Sequence, residues 1–274
     1  MRVRVSPPAP RINSPDESLK PPLKWAGGKR WLLPYVAPIW RQNEQRRYVE
    51  PFCGGLAMAL GLHPRNALLN DLNPHLINFY RQLQRGLTLS LDARYNEALF
   101  YSHRAAFNNL VLHDGARTPR AAQLFYYLNR TCYNGLCRFN RSGEFNVPFG
   151  KYKSVNYASS FGEYRRVFRH WKFSSLDLEK LRIDRDDFIY ADPPYDVEFT
   201  SYSAGGFSWT DQQRTAEWLA KHRGPVLLSN QATSRIVRLY RKLGFRLRFL
   251  DAPRRISANG DRAAAREVLA SRNL

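Results

Sequence analysis

Four short apolar runs punctuate the chain, and each closes on a polar or turn residue. They are YVEPF (48–52), ALLND (67–71), FIYAD (188–192) and PVLLSN (225–230). Runs of this length bounded by turn residues read as buried strands. The segments LINFYRQLQRG, TDQQRTAEWLAKHRG and TSRIVRLYRKLGF space their apolar residues as helices do and end near a glycine. Strands alternating with helices predict a mostly parallel α/β sheet of Rossmann-like type. From 76 to 175 the rhythm breaks. That stretch reads as mainly helical, then rich in Asn, Arg, Gly and Tyr. It predicts an insertion on the carboxyl edge of the sheet, where open α/β folds bind ligands. Residues 1–20 are rich in Pro and Ser and predict a loose tail. The expected division is therefore a tail (1–20), an α/β domain (21–75 and 176–274) and an insertion (76–175).

One strand ending carries unusual chemistry. The run Phe188-Ile189-Tyr190-Ala191 leads directly into Asp192-Pro193-Pro194-Tyr195. Proline cannot donate to a sheet ladder, so the strand stops there. The prolines also fix the backbone, so the Asp192 carboxylate and the Pro193 carbonyl point in set directions. Together they offer two acceptors, which match the two N–H donors of an exocyclic amine. Tyr195 adds a flat face for a base to stack on. A carboxylate also suits a nearby sulfonium. Such a corner can hold a base turned out of a duplex with its amino nitrogen in line with a methyl group.

Charge sharpens that picture. The chain has 43 Lys and Arg against 23 Asp and Glu, a net charge of +20. That excess favours a polyanion, either nucleic acid or an anionic membrane surface. An aromatic content of 14% and the lack of a basic amphipathic helix favour nucleic acid. No apolar run approaches the about 18 residues of a membrane helix, and no apolar leader opens the chain. The cysteines Cys53, Cys132 and Cys137 are too few for a disulfide framework and fit a reducing cytosol. Cys132 and Cys137 lack a second ligand pair, so buried thiols are expected rather than a metal site.

Two glycine-containing segments add candidate ligand contacts. VEPFCGGLA (49–57) places Gly54-Gly55 between a strand and a helix, where glycine allows close backbone approach. Asp71 ends the following strand, where an acid can accept from both hydroxyls of a ribose. The G-x-G-x-x-G pattern of nicotinamide sites is absent, and Leu56 stands where a glycine is expected. LKWAGGK (23–29) lacks phosphate-loop spacing, because Arg30 follows Lys29. It reads as a cradle for a carboxylate or one face of a zwitterion.

The blocks KWAGGK, EPFCGG, NDLN, a long insertion and DPPY, in that order, resemble the DNA adenine methylase family. The most distinctive part is YLNRTCYNGLCRFNRSGEFNVPFGKYK (127–153), and RRISANG (254–260) matches as well. The resemblance runs from about Leu23 to Leu269. It implies a class I methyltransferase fold with a target-recognition insertion. It also implies transfer of a methyl group from S-adenosylmethionine to adenine N6 in GATC of double-stranded DNA, by base flipping and direct in-line transfer. No metal, membrane or covalent enzyme intermediate is implied, and the chain is expected to act as a monomer in the cytoplasm, at the nucleoid. Matched as cofactor contacts are Trp25, Lys29, Phe52, Gly54, Asp71 and Asp192. Asp192, Pro193 and Tyr195 match the catalytic corner. Tyr133 and Asn134 match residues that enter the duplex, Arg138 a reader of the third-position guanine, and Pro148 a contact to the thymine methyl. Lys24 and Tyr152 match contacts to the first guanine, and Arg254, Arg255 and Asn259 fall in the C-terminal DNA-binding block. The chain departs from the family at Leu56, which replaces a small residue, and after DPPY, where DVEFTSYSAGGF is shorter than in some members. Competing classes are a methyltransferase of RNA or protein amides using the same corner, and an inactive DNA-binding protein on the same fold.

Overall fold

The computed structural model describes residues 19–158, 160–196, 206–252 and 265–274. The candidate DNA contacts Arg254, Arg255 and Asn259 lie outside the described residues, as does most of the segment after DPPY.

Among the described residues, seven strands form one sheet in the order β3-β2-β1-β4-β5-β7-β6. They are β1 (Tyr48–Glu50), β2 (Ala67–Asn70), β3 (Trp171–Ser174), β4 (Phe188–Ala191), β5 (Val226–Gln231), β6 (Arg246–Ala252) and β7 (Ala265–Arg272). The first five are parallel, and β7 runs antiparallel to both of its neighbours. The helices are α1 (Leu33–Arg41), α2 (Ala57–Leu62), α3 (Pro74–Arg85), α4 (Glu97–Leu112), α5 (Pro119–Thr131), α6 (Gly162–Val167), α7 (Trp209–Lys221) and α8 (Ser234–Lys242). Among the described residues, no helix is long and apolar enough to cross a membrane.

Alternation along the strands builds the two layers. Tyr48, Leu69, Phe188, Tyr190 and Leu227 pack on one face with α1 to α6, while Val49, Leu68, Ile189, Ala191, Val226 and Leu228 pack on the other with α7 and α8. Successive strand side chains point to opposite faces, so a short continuous apolar run serves both layers.

The helices begin and end where their sequences say they should. Asn73 caps α3 by accepting the backbone N–H groups of His75 (3.0 Å) and Leu76 (3.2 Å), and Pro74 fills the first turn. Gly86 ends it with φ +93°, a left-handed conformation that glycine adopts freely. Ser208 and Asp211 form a capping box on α7, and Thr233 caps α8.

The expected insertion and the sheet share their borders differently from the division drawn above. α3 begins at Pro74, just before the expected border at 76, and β3 falls within 76–175, yet β3 is a strand of the central sheet, pairing with β2 from Ala67↔Trp171 to Asn70↔Ser174. WKFS is too short and too mixed in pattern to stand out in a polar stretch. Helices α4 and α5 have no separate core either. Their Phe100, Phe107, Leu124, Phe125 and Leu128 join the same apolar cluster as Tyr48 and Leu69.

Leu56 explains its own oddity. It sits at the start of α2 with φ +62° and is fully buried. A glycine is natural there because the left-handed backbone costs other residues roughly 1–2 kcal/mol. The leucine recovers that cost through its buried side chain, whose truncation costs about 2–5 kcal/mol in a packed core. Leu56→Gly is therefore expected to lower the denaturation midpoint in urea despite removing the strain. A midpoint raised by the substitution would show that the strain outweighs the packing.

Candidate active site

The carboxyl edge of the sheet collects the acids seen in the sequence. Glu50, Asp71 and Asp192 follow or end β1, β2 and β4. Strand order reverses between β1 and β4, and open α/β sheets bind ligands at such a switch point.

Asn70, which the sequence did not single out, fastens this edge of the sheet. It is buried, and its side-chain amide donates to the carbonyls of Pro51 (3.0 Å) and Leu176 (2.9 Å). Its Oδ1 accepts from the Ser174 hydroxyl (2.8 Å) and the Leu176 N–H (3.0 Å). One side chain thus ties together the ends of β1, β2 and β3.

Asp71 receives the N–H of Gly54 on Oδ2 (3.1 Å) and that of Asn73 on Oδ1 (2.9 Å). Each oxygen keeps a second acceptor direction, as a diol requires. Burial pushes this carboxyl above its usual range, and the two backbone N–H groups oppose the shift. Beside it, Leu72 is 61% exposed and Leu176 is 43% exposed. The Ser175 hydroxyl donates to the Leu72 carbonyl (3.1 Å), which links the two segments. These two exposed leucines put apolar surface near Asp71, which composition alone does not reveal.

Gly54 and Gly55 are needed for close approach, and what approaches is the protein's own Trp25. A Cβ on Gly54 would lie 2.7 Å from Trp25 Nε1, and one on Gly55 would lie 2.7 Å from Trp25 Cβ. The Gly54 carbonyl accepts the Tyr80 hydroxyl from α3 (2.6 Å). Phe52 meets Phe207 edge-on at 5.8 Å.

The segment 23–29 is a strap across the whole site. The Lys24 backbone N–H donates to Asn129 Oδ1 (2.9 Å) and its carbonyl accepts from Asn129 Nδ2 (2.8 Å), which ties the strap to α5. Trp25 lies on the glycine pair. Lys29, only 6% exposed, brings its ammonium 3.5 Å from Asp192 Oδ2 and 3.9 Å from Glu267 Oε1. The ammonium expected to meet a ligand carboxylate is therefore flanked by two of the protein's own.

The Asp192–Tyr195 corner is clamped residue by residue from the strands and helices behind it. Ser229 on β5 donates to Asp192 Oδ1 (2.7 Å), and Gln212 on α7 donates to the Pro194 carbonyl (2.7 Å). The Tyr195 hydroxyl donates to Glu267 on β7. Asp196 accepts from Thr233 (3.0 Å) and from the Arg235 guanidinium. Lys29 Nζ lies 4.1 Å from the Tyr195 ring centroid and takes one face of that ring. Burial raises the Asp192 carboxyl above its usual range, while Lys29 and Ser229 pull it down. Burial also raises Glu267, opposed by Lys29 and the Tyr195 hydroxyl.

A second cluster holds the expected base readers. Cys132 bridges Phe149, and the Tyr133 N–H donates to the Pro148 carbonyl (2.9 Å). Tyr133 is 51% exposed, and Asn134 is exposed in a left-handed conformation with φ +52°. Arg138 is exposed, with Nε donating to Asn146 Oδ1 (2.8 Å) across the Phe139–Phe145 bridge. Lys24 Nζ sits 3.5 Å from the Tyr152 ring centroid and donates to the Arg130 carbonyl (3.0 Å). The Tyr152 hydroxyl donates to the Cys132 carbonyl (2.6 Å). Both polar tips are thus already engaged within the protein. Burial, then the nearby Arg130, lowers the Lys24 pKa. Cys53 and Cys132 are buried and Cys137 is half-buried, accepting from Asn73 Nδ2 (3.3 Å).

Residues 25–253, which take in most of the strap, the glycine pair, the segment 127–153 and the Asp192 corner, match the family model of the D12 class N6 adenine-specific DNA methyltransferase. The chain belongs to this family. It is 37% identical over 268 residues to the DNA N-6-adenine-methyltransferase of Escherichia phage P1, covering 90% of this chain and 34% of that protein. The chain thus spans about a third of that relative's length. It is 37% identical over 259 residues to the DNA adenine methylase of Vibrio cholerae, covering 87% of this chain and 90% of that one. It is 32% identical over 279 residues to the type II methyltransferase M.MjaIII of Methanocaldococcus jannaschii, covering 89% of this chain and 95% of that one. The methyltransferase therefore acts on adenine in DNA, with S-adenosylmethionine as methyl donor. The carboxyl edge offers groups that suit that donor: Asp71 with an acceptor direction left on each oxygen, the exposed Leu72 and Leu176 beside it, and the Asp192 carboxylate.

Proposed function

We propose that this methyltransferase modifies adenine N6 within GATC of double-stranded DNA, acting as a monomer on a base flipped out of the duplex. The clamped Asp192–Tyr195 corner carries this reading, because it presents fixed acceptors beside a flat ring. Trp25, Lys29, Phe52, Gly54 and Asp71 form the cofactor side of the site, with Asp71 on the ribose hydroxyls and Leu72 and Leu176 against the purine. S-adenosylmethionine, when bound, supplies an electrophilic methyl group.

The chain's own part is to hold the amine. The N6 lone pair is delocalised into the adenine ring and is a poor nucleophile. Asp192 Oδ2 and the Pro193 carbonyl accept its two N–H groups, favour a pyramidal nitrogen and stabilise the positive charge that develops there. Tyr195 stacks on the base with the face that Lys29 leaves open. The amine proton leaves to solvent after transfer. Asp192 acts as carboxylate and never forms a bond to substrate, and the cysteines take no part.

Residues from the end of α3 to β3 constitute the target-recognition part. Tyr133 and Asn134 enter the duplex and occupy the space of the flipped base. Arg138 reads the third-position guanine, Pro148 meets the thymine methyl, and Lys24 and Tyr152 meet the first guanine. The pairing of Arg138 with Asn146 leaves guanidinium N–H groups for guanine O6 and N7.

Mapping of modified bases in DNA from a host expressing the chain tests the target, and methylation of any motif other than GATC sinks it. Arg138→Ala tests the readout. It is expected to relax the site at one base pair by roughly 1–3 kcal/mol of discrimination and to leave the others read. Duplexes with a single altered base pair measure this. Equal loss on GATC and on every near-cognate site would mean that Arg138 only holds phosphate.

A further inference from the structure

The residue that completes the Asp192 corner comes from the last strand of the chain. β7 is antiparallel, so its first residues reach the carboxyl edge of the parallel strands. The register places Glu267 opposite Gln231 and Leu269 opposite Ser229. Glu267 therefore shares a sheet face with Ser229, the residue that holds Asp192.

Glu267 is 5% exposed. Its Oε1 accepts the Tyr195 hydroxyl and lies 3.9 Å from Lys29 Nζ. Its Oε2 is buried without a hydrogen-bond partner among the described residues. A charged group this buried and half-satisfied is unfavourable for folding, so stability does not explain it.

Lys29 shows what the carboxylate does. A charge-assisted ammonium–carboxylate hydrogen bond closes to about 2.7–2.9 Å. Lys29 stands off both acids, at 3.5 Å from Asp192 and 3.9 Å from Glu267, and rests over the Tyr195 ring. Its ammonium also donates to the Gly27 carbonyl (3.3 Å), and without Glu267 the acid left to draw it is Asp192, through Oδ2. Ser229 already occupies Oδ1, so Oδ2 is the oxygen left for a substrate amine.

We propose, on the reading of Asp192 and Tyr195 as the transfer site, that Glu267 is a positioning residue for methyl transfer: it anchors the Tyr195 ring through its hydroxyl and draws Lys29 away from Asp192 Oδ2, which stays open to the adenine amine. Two jobs follow for one carboxylate. The hydrogen bond sets the ring, and the charge sets the lysine.

The test compares Glu267→Ala and Glu267→Gln in the full chain by single-turnover methyl transfer to a GATC duplex. Binding of the duplex and of S-adenosylmethionine is measured separately. Glu267→Ala is expected to slow transfer by on the order of 10²-fold, the penalty for small misplacements of reacting groups, with both binding constants unchanged. Glu267→Gln retains an acceptor for Tyr195 but no charge, keeps the side-chain volume, and is expected to recover part of the rate. Glutamine at the full wild-type rate overturns the role assigned to the charge, and loss of cofactor binding in step with rate overturns positioning altogether. Asp192→Ala run beside them separates the two levels. If it keeps turnover, the transfer site itself is misassigned. If it is inactive while both Glu267 variants match wild type, only the role of Glu267 fails.

Discussion

Asp192→Ala is expected to slow methyl transfer by at least about 10²–10³-fold while leaving duplex binding intact. That magnitude is the usual loss when one preorganised group aimed at developing charge is removed. Two features of the site argue for the upper end. Asp192 is fixed by Ser229 at 2.7 Å, so its carboxylate needs no rearrangement before reaction. It also faces Lys29, and its removal leaves that ammonium with Glu267 alone among the acids around it. Duplex binding is expected to survive because the exposed basic residues Arg138, Arg141, Lys151 and Lys153 belong to the segment 127–153 and not to the corner. Single-turnover transfer of a labelled methyl group measures the rate, and fluorescence anisotropy of a labelled duplex measures binding. Turnover near wild type in Asp192→Ala removes the corner from the chemistry. Parallel loss of duplex binding would mean that the substitution damages the fold instead.

Affinity for duplex DNA is expected to collapse as salt rises. A net charge of +20 on 274 residues is far more than the catalytic chemistry uses. Neutralising about 6–10 phosphates releases condensed counterions, and such a protein loses on the order of 10³–10⁵ in affinity between about 50 and 200 mM salt. The slope of log affinity against log salt counts the phosphates, at about 0.9 per contact. Replacing Lys151 or Lys153 with alanine is expected to reduce that slope without changing which base pairs are read. A flat titration over the same range would detach the positive charge from DNA and leave it as a property of the surface alone.

Much of this protein was determined by local sequence. Strands at 48–50, 67–70, 188–191 and 226–231 follow from short apolar runs ended by turn residues, and the helix ends follow from Asn73, Gly86, Ser208 and Thr233. The Asp192–Tyr195 corner was legible because two prolines rigidify it whatever surrounds it. The segment 127–153 was legible as a long motif; Tyr133, Pro148 and Tyr152 stand at the Cys132–Phe149 bridge and Arg138 at the Phe139–Phe145 bridge.

Tertiary structure alone decided what stands next to what. A period of two tells which face of the sheet a residue takes, but not which strand lies beside it. Asn70, Ser229 and Glu267 are single polar residues in or at the ends of apolar strands, and each acquires its role only from a neighbouring strand's register. The glycine pair announced a close approach without naming Trp25 as what approaches. Leu56 looked like a departure in a flexible loop until its φ of +62° and complete burial showed a strained backbone held by packing. Lys29 looked like a hand held out to a ligand, and only the return of antiparallel β7 to the carboxyl edge set it between the half-buried Asp192 and the buried Glu267. Those contacts join segments far apart in the chain, and the free energy that selects them is that of the assembled core, which no local window contains.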